Sequence, residues 1–274
     1  MLSKTIAAAV QGIDATMVTI ETTLDWGNQV VIVGLPDTAV KESSERVRCA
    51  INEAGFQYPN KTVVVNMVKP DLLSRYMIMG ELSLDGSVRS IKGALPMAIL
   101  ARELKLEGFI LPKANASEAA IVNNLKVYGV DHISQVVKFL NGEVELEATV
   151  VDTRAEFAQA QGNFPYDFSE VKGQDNVKRA FEVACAGGHN IMLIGSPGSG
   201  KSMMAKRLPS ILPPLSLSEA LETTKIHSVA GSLKSGTTLL TTRPYRSPHH
   251  TISPVALVGG GTYPSPGEIS LAHN

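Results

Sequence analysis

Two cysteines, one tryptophan and 5% aromatic residues are all that the 274-residue chain holds of the side chains that build disulfide frameworks or stacking surfaces. Cys49 and Cys185 lie far apart and match no metal-ligand spacing, which excludes a disulfide scaffold. Charged residues are also scarce, at 19% against roughly 25% in ordinary soluble domains. With 44% apolar residues this excludes a disordered polyelectrolyte. No uninterrupted apolar run approaches the roughly 18 residues of a membrane span. The short run Thr5 to Val10 falls below a signal-peptide core. The chain reads as a soluble, reduced, cytoplasmic protein with no membrane partner. A formal net charge of -1 excludes a basic protein that coats nucleic acid along its whole length.

The charge is unevenly placed. From Tyr166 onward there are 10 basic and 7 acidic residues; before it there are 15 and 19. Such asymmetry points to two domains with different partners. Hydrophobic periodicity gives an alternation of strands (Ile6–Val10, Met17–Thr22, Val30–Val33, Thr62–Val68, Gly108–Leu111, Lys126–Gly129) with helices (Asp37–Glu53, Ala94–Leu104, Ser117–Asn123, His132–Leu140). Met77–Leu84 and Val88–Ile91 form a hairpin around Asp85-Gly86. The rhythm is that of an α/β fold. A small, polar stretch follows, giving residues 1–150 as a first domain, 151–165 as a linker and 166–274 as a second domain. There the reading is a helix at Asn176–Ala186, an apolar strand at Asn190–Ile194, a glycine-rich turn, helices at Lys201–Leu208 and Ser218–Ile226, and a turn-rich tail.

The glycine-rich turn carries the clearest chemistry. Gly195-Ser196-Pro197-Gly198-Ser199-Gly200-Lys201-Ser202 fits the P-loop pattern between an apolar strand and a helix. Glycines let successive backbone N–H groups converge on phosphates. Lys201 is placed to reach the β- and γ-phosphates of ATP, and the Ser202 hydroxyl to ligate Mg2+. An ordinary Gly/Ser turn with a surface lysine is the plain alternative. Thr223 to Gly267 contains no acid but has Lys225, Lys234, Arg243 and Arg246. Of these, Lys234, Arg243 and Arg246 are candidate contacts to a nucleic-acid backbone, the alternative being a solvated segment merely short of acids. His249 and His250 are adjacent, a poor geometry for one metal ion. Met203-Met204 reads as helix packing.

A resemblance enters through Glu170-Val-Lys-Gly-Gln174, Ala186-Gly-Gly-His-Asn190, the P-loop and Leu208-Pro-Ser-Ile-Leu-Pro-Pro214. It continues through Arg243-Pro-Tyr-Arg-Ser-Pro-His-His-Thr-Ile-Ser253, Gly259-Gly-Gly261 and Pro266-Gly-Glu-Ile-Ser-Leu-Ala-His-Asn274. Together these resemble the magnesium-chelatase-like AAA+ proteins of the ComM/YifB type, over nearly the whole chain. The resemblance implies a Lon-protease-like α+β N-terminal domain (the ribosomal S5 domain 2-like fold) followed by part of a P-loop AAA+ domain with a parallel sheet. It also implies an ATP-driven, hexameric, DNA-remodelling motor acting on branched or single-stranded DNA in natural transformation or recombination. In AAA+ ATPases the loop equivalent to Lys172-Gly173-Gln174 borders the adenine.

Met79-Gly-Glu-Leu-Ser-Leu-Asp-Gly-Ser-Val88, with Ile91, Gly93, Ile110-Leu-Pro112 and Asn115, is similar to the Lon proteolytic core. The activating lysine of that core would fall on Leu95. The serine-bearing block would fall between Pro70 and Tyr76, where only Asp71, Leu72, Leu73, Ser74 and Arg75 stand. A protease scaffold without protease chemistry is the expectation. In the resembled family an acidic strand follows Leu271-Ala-His-Asn274, so the chain is expected to be truncated before that strand. Binding of ATP or ADP with very slow turnover is therefore expected. A metal-insertion motor, an ATP-dependent protease and a non-hydrolysing nucleotide switch are the competing functions.

Overall fold

A computed structural model describes residues 2–23, 38–56, 73–160, 162, 164–234, 236–261 and 264–274. The chain divides into two compact units, Met1–Val151 with Ser228–Thr238, and Asp152–His227 with Leu239–Asn274. The strands expected at Val30–Val33 and Thr62–Val68, and Asp37 at the head of the first helix, lie outside the described residues.

The first unit is an α/β layer around one sheet. Strands β1 (Leu2–Gln11) and β2 (Asp14–Thr23) form an antiparallel hairpin closed at Gln11↔Asp14. Gly12 takes φ +66° at the first loop position, where two-residue hairpins favour glycine because an L side chain resists that region. Helix α1 (Thr38–Glu53) buries Ala50 and Ile51. It stops at Gly55, across which the Phe56 N–H reaches back to Ile51 O at 3.1 Å.

Strand β3 (Tyr76–Ile78) lies parallel to β1, β6 (Gly108–Pro112) parallel to β3, and β7 (Lys126–Val130) parallel to β6. The sheet order is β2-β1-β3-β6-β7. All five residues of β6 are buried, as expected of a parallel strand covered on both faces. Ile110 faces Tyr128, Val130, Val136 and Leu140, where Tyr76, Tyr128 and Phe139 meet edge-on or tilted at 5.1–6.2 Å. Phe109 and Leu111 alternate to the opposite face. Helices α2 (Ala94–Glu103) and α3 (Lys113–Ala119) pack on each other. A Cβ on Gly129 would come 2.9 Å from Ala116 Cβ, so β7 and α3 approach as closely as glycine allows. Helix α4 (Ile133–Leu140) opens on a capping box: the His132 side chain accepts the Ser134 N–H, and Gln135 accepts the His132 N–H.

Two local expectations shift. The Met77–Leu84 arm divides. Tyr76–Ile78 joins the sheet, while β4 (Glu81–Leu82) pairs with β5 (Val88–Arg89). Gly80 permits the crossing, since a Cβ there would meet Val88 Cγ1 at 2.6 Å. The helix expected at Ser117–Asn123 is α3, four residues earlier at its start, because the extended Pro112 caps it directly.

In the second unit α5 (Thr153–Ala160) occupies much of the stretch expected as linker; Asp152 caps it by accepting the Ala155 N–H at 3.0 Å. A short 3-10 turn (Phe168–Glu170) precedes α6 (Asp175–Gly187) and α7 (Lys201–Ala205). Phe168, Val171, Phe181 and Met204 form their common core. Helix α8 (Leu217–Ala230) buries Ala220, Thr223, Thr224, Ile226, His227 and Ser228. Thr224 resolves its own burial by donating to Ala220 O and accepting the Leu240 N–H. Residues Ser228–Ala230 of this helix belong with the first unit. Helix α9 (Pro254–Val258), the pair β8 (Gly259–Gly260) and β9 (Ser265–Pro266), and α10 (Glu268–Leu271) complete the chain. Among the described residues no helix is long and apolar enough to cross a membrane.

Candidate functional site

Asn190–Ile194, expected as a strand, pairs with no other strand among the described residues. The alternation is nevertheless present: Leu193 packs on the Phe168–Phe181 core, while Met192 is 79% and Ile194 90% exposed. An apolar run becomes a strand only when a neighbour takes its N–H and C=O groups. Among the described residues the second unit's only ladder is β8–β9. The parallel sheet of this fold therefore lies in the first unit.

The glycine-rich bend leads from that segment into α7. Gly198 and Gly200 take φ +82° and +86°, conformations that cost an L side chain about 1–2 kcal/mol. The Ser199 N–H donates to Ser196 O at 3.3 Å. Lys201 Nζ donates to Gly195 O and Ser196 O at 2.8 Å each, and to Ser199 Oγ at 3.1 Å. The ammonium thus uses its three donors on oxygens of its own loop. Gly195 belongs to the same close packing, with Ser199 Oγ only 3.1 Å from where its Cβ would stand. Pro197 stands at the crest. Ser202 is exposed in the first turn of α7. Met204 anchors that turn at 2% exposure; Met203, at 39%, does not. Gln174 Nε2 donates to Ser199 O at 3.3 Å. The loop before α6, which by resemblance borders the adenine, therefore touches the bend.

The basic candidates divide between the two units. Lys234 is exposed and belongs with the first unit. Arg243 donates to Pro213 O at 2.7 Å and to Asn274 O at 2.6 Å, and stands 3.6 Å from Glu219. Arg246 grips Glu268 through Nε and Nη2 at 2.6 and 2.5 Å. This bidentate bond holds the Glu268 carboxyl below its ordinary range and raises Arg246 further. Both guanidinium groups are thus engaged by groups inside the second unit. The sequence hides this because the acids lie 22 to 24 residues away.

Asn274 Nδ2 donates to Thr223 Oγ1 at 3.2 Å, and His227 Nε2 lies 3.0 Å from Leu271 O. The Leu271–Asn274 motif is thereby fastened to α8. Burial pushes His227 below the ordinary histidine pKa, against the opposing pull of the Leu271 carbonyl. The His249 and His250 rings stack at 4.1 Å. Among the described residues no group of three potential ligands could hold a metal ion.

In the first unit, Leu95 stands where the Lon-like lysine would be, and is 1% exposed. Its N–H donates to Glu118 Oε1 at 3.1 Å. Asn115 donates to Glu118 Oε2 at 3.3 Å and clasps Ile91 through both its N–H and its C=O at 2.9 Å. Buried Asn115 and Glu118 thus serve the start of α2. Ser74 is exposed, and Arg75 is paired with Glu107.

Residues 167–274 match the family model "Magnesium chelatase, subunit ChlI", and residues 20–73 and 68–115 match "Subunit ChlI of Mg-chelatase". The competence protein ComM of Haemophilus influenzae is 36% identical across 97% of this chain and 57% of its own length. The uncharacterized protein YifB of Escherichia coli is 37% identical across 97% of this chain and 56% of its own length. Over nearly its whole length the chain is thus similar to magnesium-chelatase-like proteins of the ComM/YifB type. It spans between 56% and 59% of the length of the curated relatives that it matches from end to end. An archaeal Lon protease of Archaeoglobus fulgidus is 44% identical over 52 residues, 19% of this chain and 8% of its own. The family alignment to ComM runs over 293 positions for a chain of 274 residues, and one family model matches in two pieces that meet at 68–73. Relatives therefore carry residues that this chain lacks, and the short Pro70–Tyr76 connection coincides with the break.

Proposed function

We propose that this chain binds ATP and ADP through residues 195–202 and that, in its longer relatives, the same module is the ATPase of a DNA-remodelling motor. The observation that carries the reading is the bend itself. Left-handed Gly198 and Gly200 open the backbone, and the Lys201 ammonium is already inside, held by three neutral oxygens. Exchanging neutral acceptors for phosphate oxygens is favoured because it adds attraction between opposite charges to hydrogen bonds that the ammonium already makes. Lys201 and the backbone N–H groups of the bend are the residues that would hold the phosphates, with the Ser202 hydroxyl toward Mg2+. Bound Mg2+ would supply charge neutralisation at the phosphates. Glu170, Glu219 and Glu268 are engaged by Arg207, Arg243 and Arg246, so slow turnover is expected of this chain.

Titration with a fluorescent ATP analogue tests the reading. Lys201→Ala is expected to weaken binding at least tenfold, about 1.4 kcal/mol of one charged hydrogen-bond set. Equal affinity in the variant and the wild type would overturn it. The DNA role and assembly into a hexameric ring are proposed for the longer relatives, as the resemblance implies. Affinity for branched duplex DNA that falls steeply with salt supports the motor; no binding by the longer protein counts against it. Buried Leu95 in place of a lysine disfavours the protease alternative.

A further inference from the structure

We infer that Gln174 is a positioning residue for the phosphate cradle, shaping the bend through its side-chain amide. The inference rests on the nucleotide reading and adds a residue from outside residues 195–202.

Gln174 departs from local rules in two ways. It occupies the position ahead of α6, where a short Ser, Thr, Asp or Asn in extended backbone ordinarily caps the helix. Gln174 instead has φ 54° and ψ 43°, and its side chain makes no cap bond. Left-handed backbone is unusual for a residue other than Gly, Asn or Asp. It follows Gly173, itself at φ +68°, so the chain makes two left-handed steps in succession. The helix start does not need the side chain, because Gln174 O accepts the Val177 and Lys178 N–H groups at 2.9 and 3.0 Å. Strain that does not serve its own helix calls for a partner elsewhere.

That partner is the bend. Gln174 Nε2 donates to Ser199 O, 25 residues along the chain. Ser199 is the residue whose Oγ receives Lys201 Nζ and whose N–H donates to Ser196 O. Ser199 is therefore held through its carbonyl by Gln174 and through its hydroxyl by Lys201. The carbonyl bond has a further consequence. Ser199 C=O and Gly200 N–H share one planar trans peptide and point in opposite directions. Drawing the oxygen toward Gln174 turns the Gly200 N–H the other way and sets the left-handed step at Gly200. One amide thus orients a donor of the cradle and keeps it oriented when Lys201 leaves the loop oxygens for a ligand.

The experiment uses the full 274-residue chain, with Gln174→Gly and Gln174→Ala beside the wild type. Three quantities are read: thermal midpoint, affinity for a fluorescent ADP, and hydrogen exchange of amides 198–202 without nucleotide. Gln174→Gly relieves the left-handed strain, so its midpoint is expected to match or exceed wild type. Its ADP affinity is nevertheless expected to fall about three- to tenfold, the worth of one neutral hydrogen bond, with exchange at Gly200 faster by a similar factor. Gln174→Ala is expected to lose affinity equally and to melt lower. Wild-type affinity and exchange in Gln174→Gly would overturn the inference. Affinity that merely follows the midpoint, reduced in Gln174→Ala and normal in Gln174→Gly, would also overturn it, since Gln174 would then be structural only. If the wild type itself binds no ADP, the nucleotide reading fails. Unchanged exchange at Gly200 would then overturn the positioning role separately, and faster exchange would support it.

Discussion

Glu118→Ala probes how the first unit replaces the chemistry its scaffold once suggested. Glu118 is 6% exposed and accepts the Leu95 N–H at 3.1 Å and an Asn115 N–H at 3.3 Å. Leu95 lies in the first turn of α2, where helix N–H groups have no intrahelical acceptor. Truncation leaves the Leu95 donor buried without a partner, at about 1–3 kcal/mol, and removes a carboxylate from a helix N-terminus, worth about 0.3–1 kcal/mol. Asn115 cannot turn to compensate, because its amide already clasps Ile91 on both sides. The sum is about 1.3–4 kcal/mol. Glu118→Gln offers one acceptor to Leu95 but points an NH2 at the Asn115 NH2, so about half the loss is expected. Amide exchange at Leu95 is the local assay: 2 kcal/mol is about thirtyfold faster exchange, at 1.4 kcal/mol per tenfold. Urea unfolding followed through the Tyr76–Tyr128–Phe139 cluster is the global one. A Glu118→Ala protein within 0.5 kcal/mol of wild type, with unchanged Leu95 exchange, would refute the reasoning.

Two further outcomes are expected. Burial holds His227 below its ordinary pKa of 6.5, so the folded state binds fewer protons than the unfolded one near and below that pH; stability is fully present above about pH 6.5 and is lost as pH falls toward the depressed folded value. His227→Gln should flatten that slope in melts taken from pH 7.5 to 5, with Arg246 and Glu268 as the neighbouring charges; an unchanged slope would contradict it. Arg246→Ala should lower stability by about 1 kcal/mol through loss of a partly shielded bidentate pair and leave the salt slope of any DNA binding unaltered, whereas Lys234→Ala should reduce that slope by about one unit if it meets a phosphate; the reverse pattern would return Arg246 to the interface.

Local chemistry made several features legible. Gly198 and Gly200 form the bend because positive φ is a property of single residues. The alternation of short apolar runs with helical ones announces β6 and β7 as strands of an α/β fold. Leu95 cannot activate a serine in any fold. Other features were beyond such reasoning. Asn190–Ile194 has a strand's pattern, yet pattern does not supply a hydrogen-bonding neighbour. Arg243 and Arg246 sit in a stretch without acids, and only chain folding brings Glu219 and Glu268 to them.

Taken alone, then, the amino-acid order determined the α/β class, the position of the P-loop pattern and the leucine at position 95, since each depends on residue type within a few positions. Tertiary structure alone decided which cations are free, which apolar run finds a ladder, and that Gln174 grips Ser199. Those outcomes depend on partners 22 to 31 residues distant, and no local rule specifies who meets whom across such a gap.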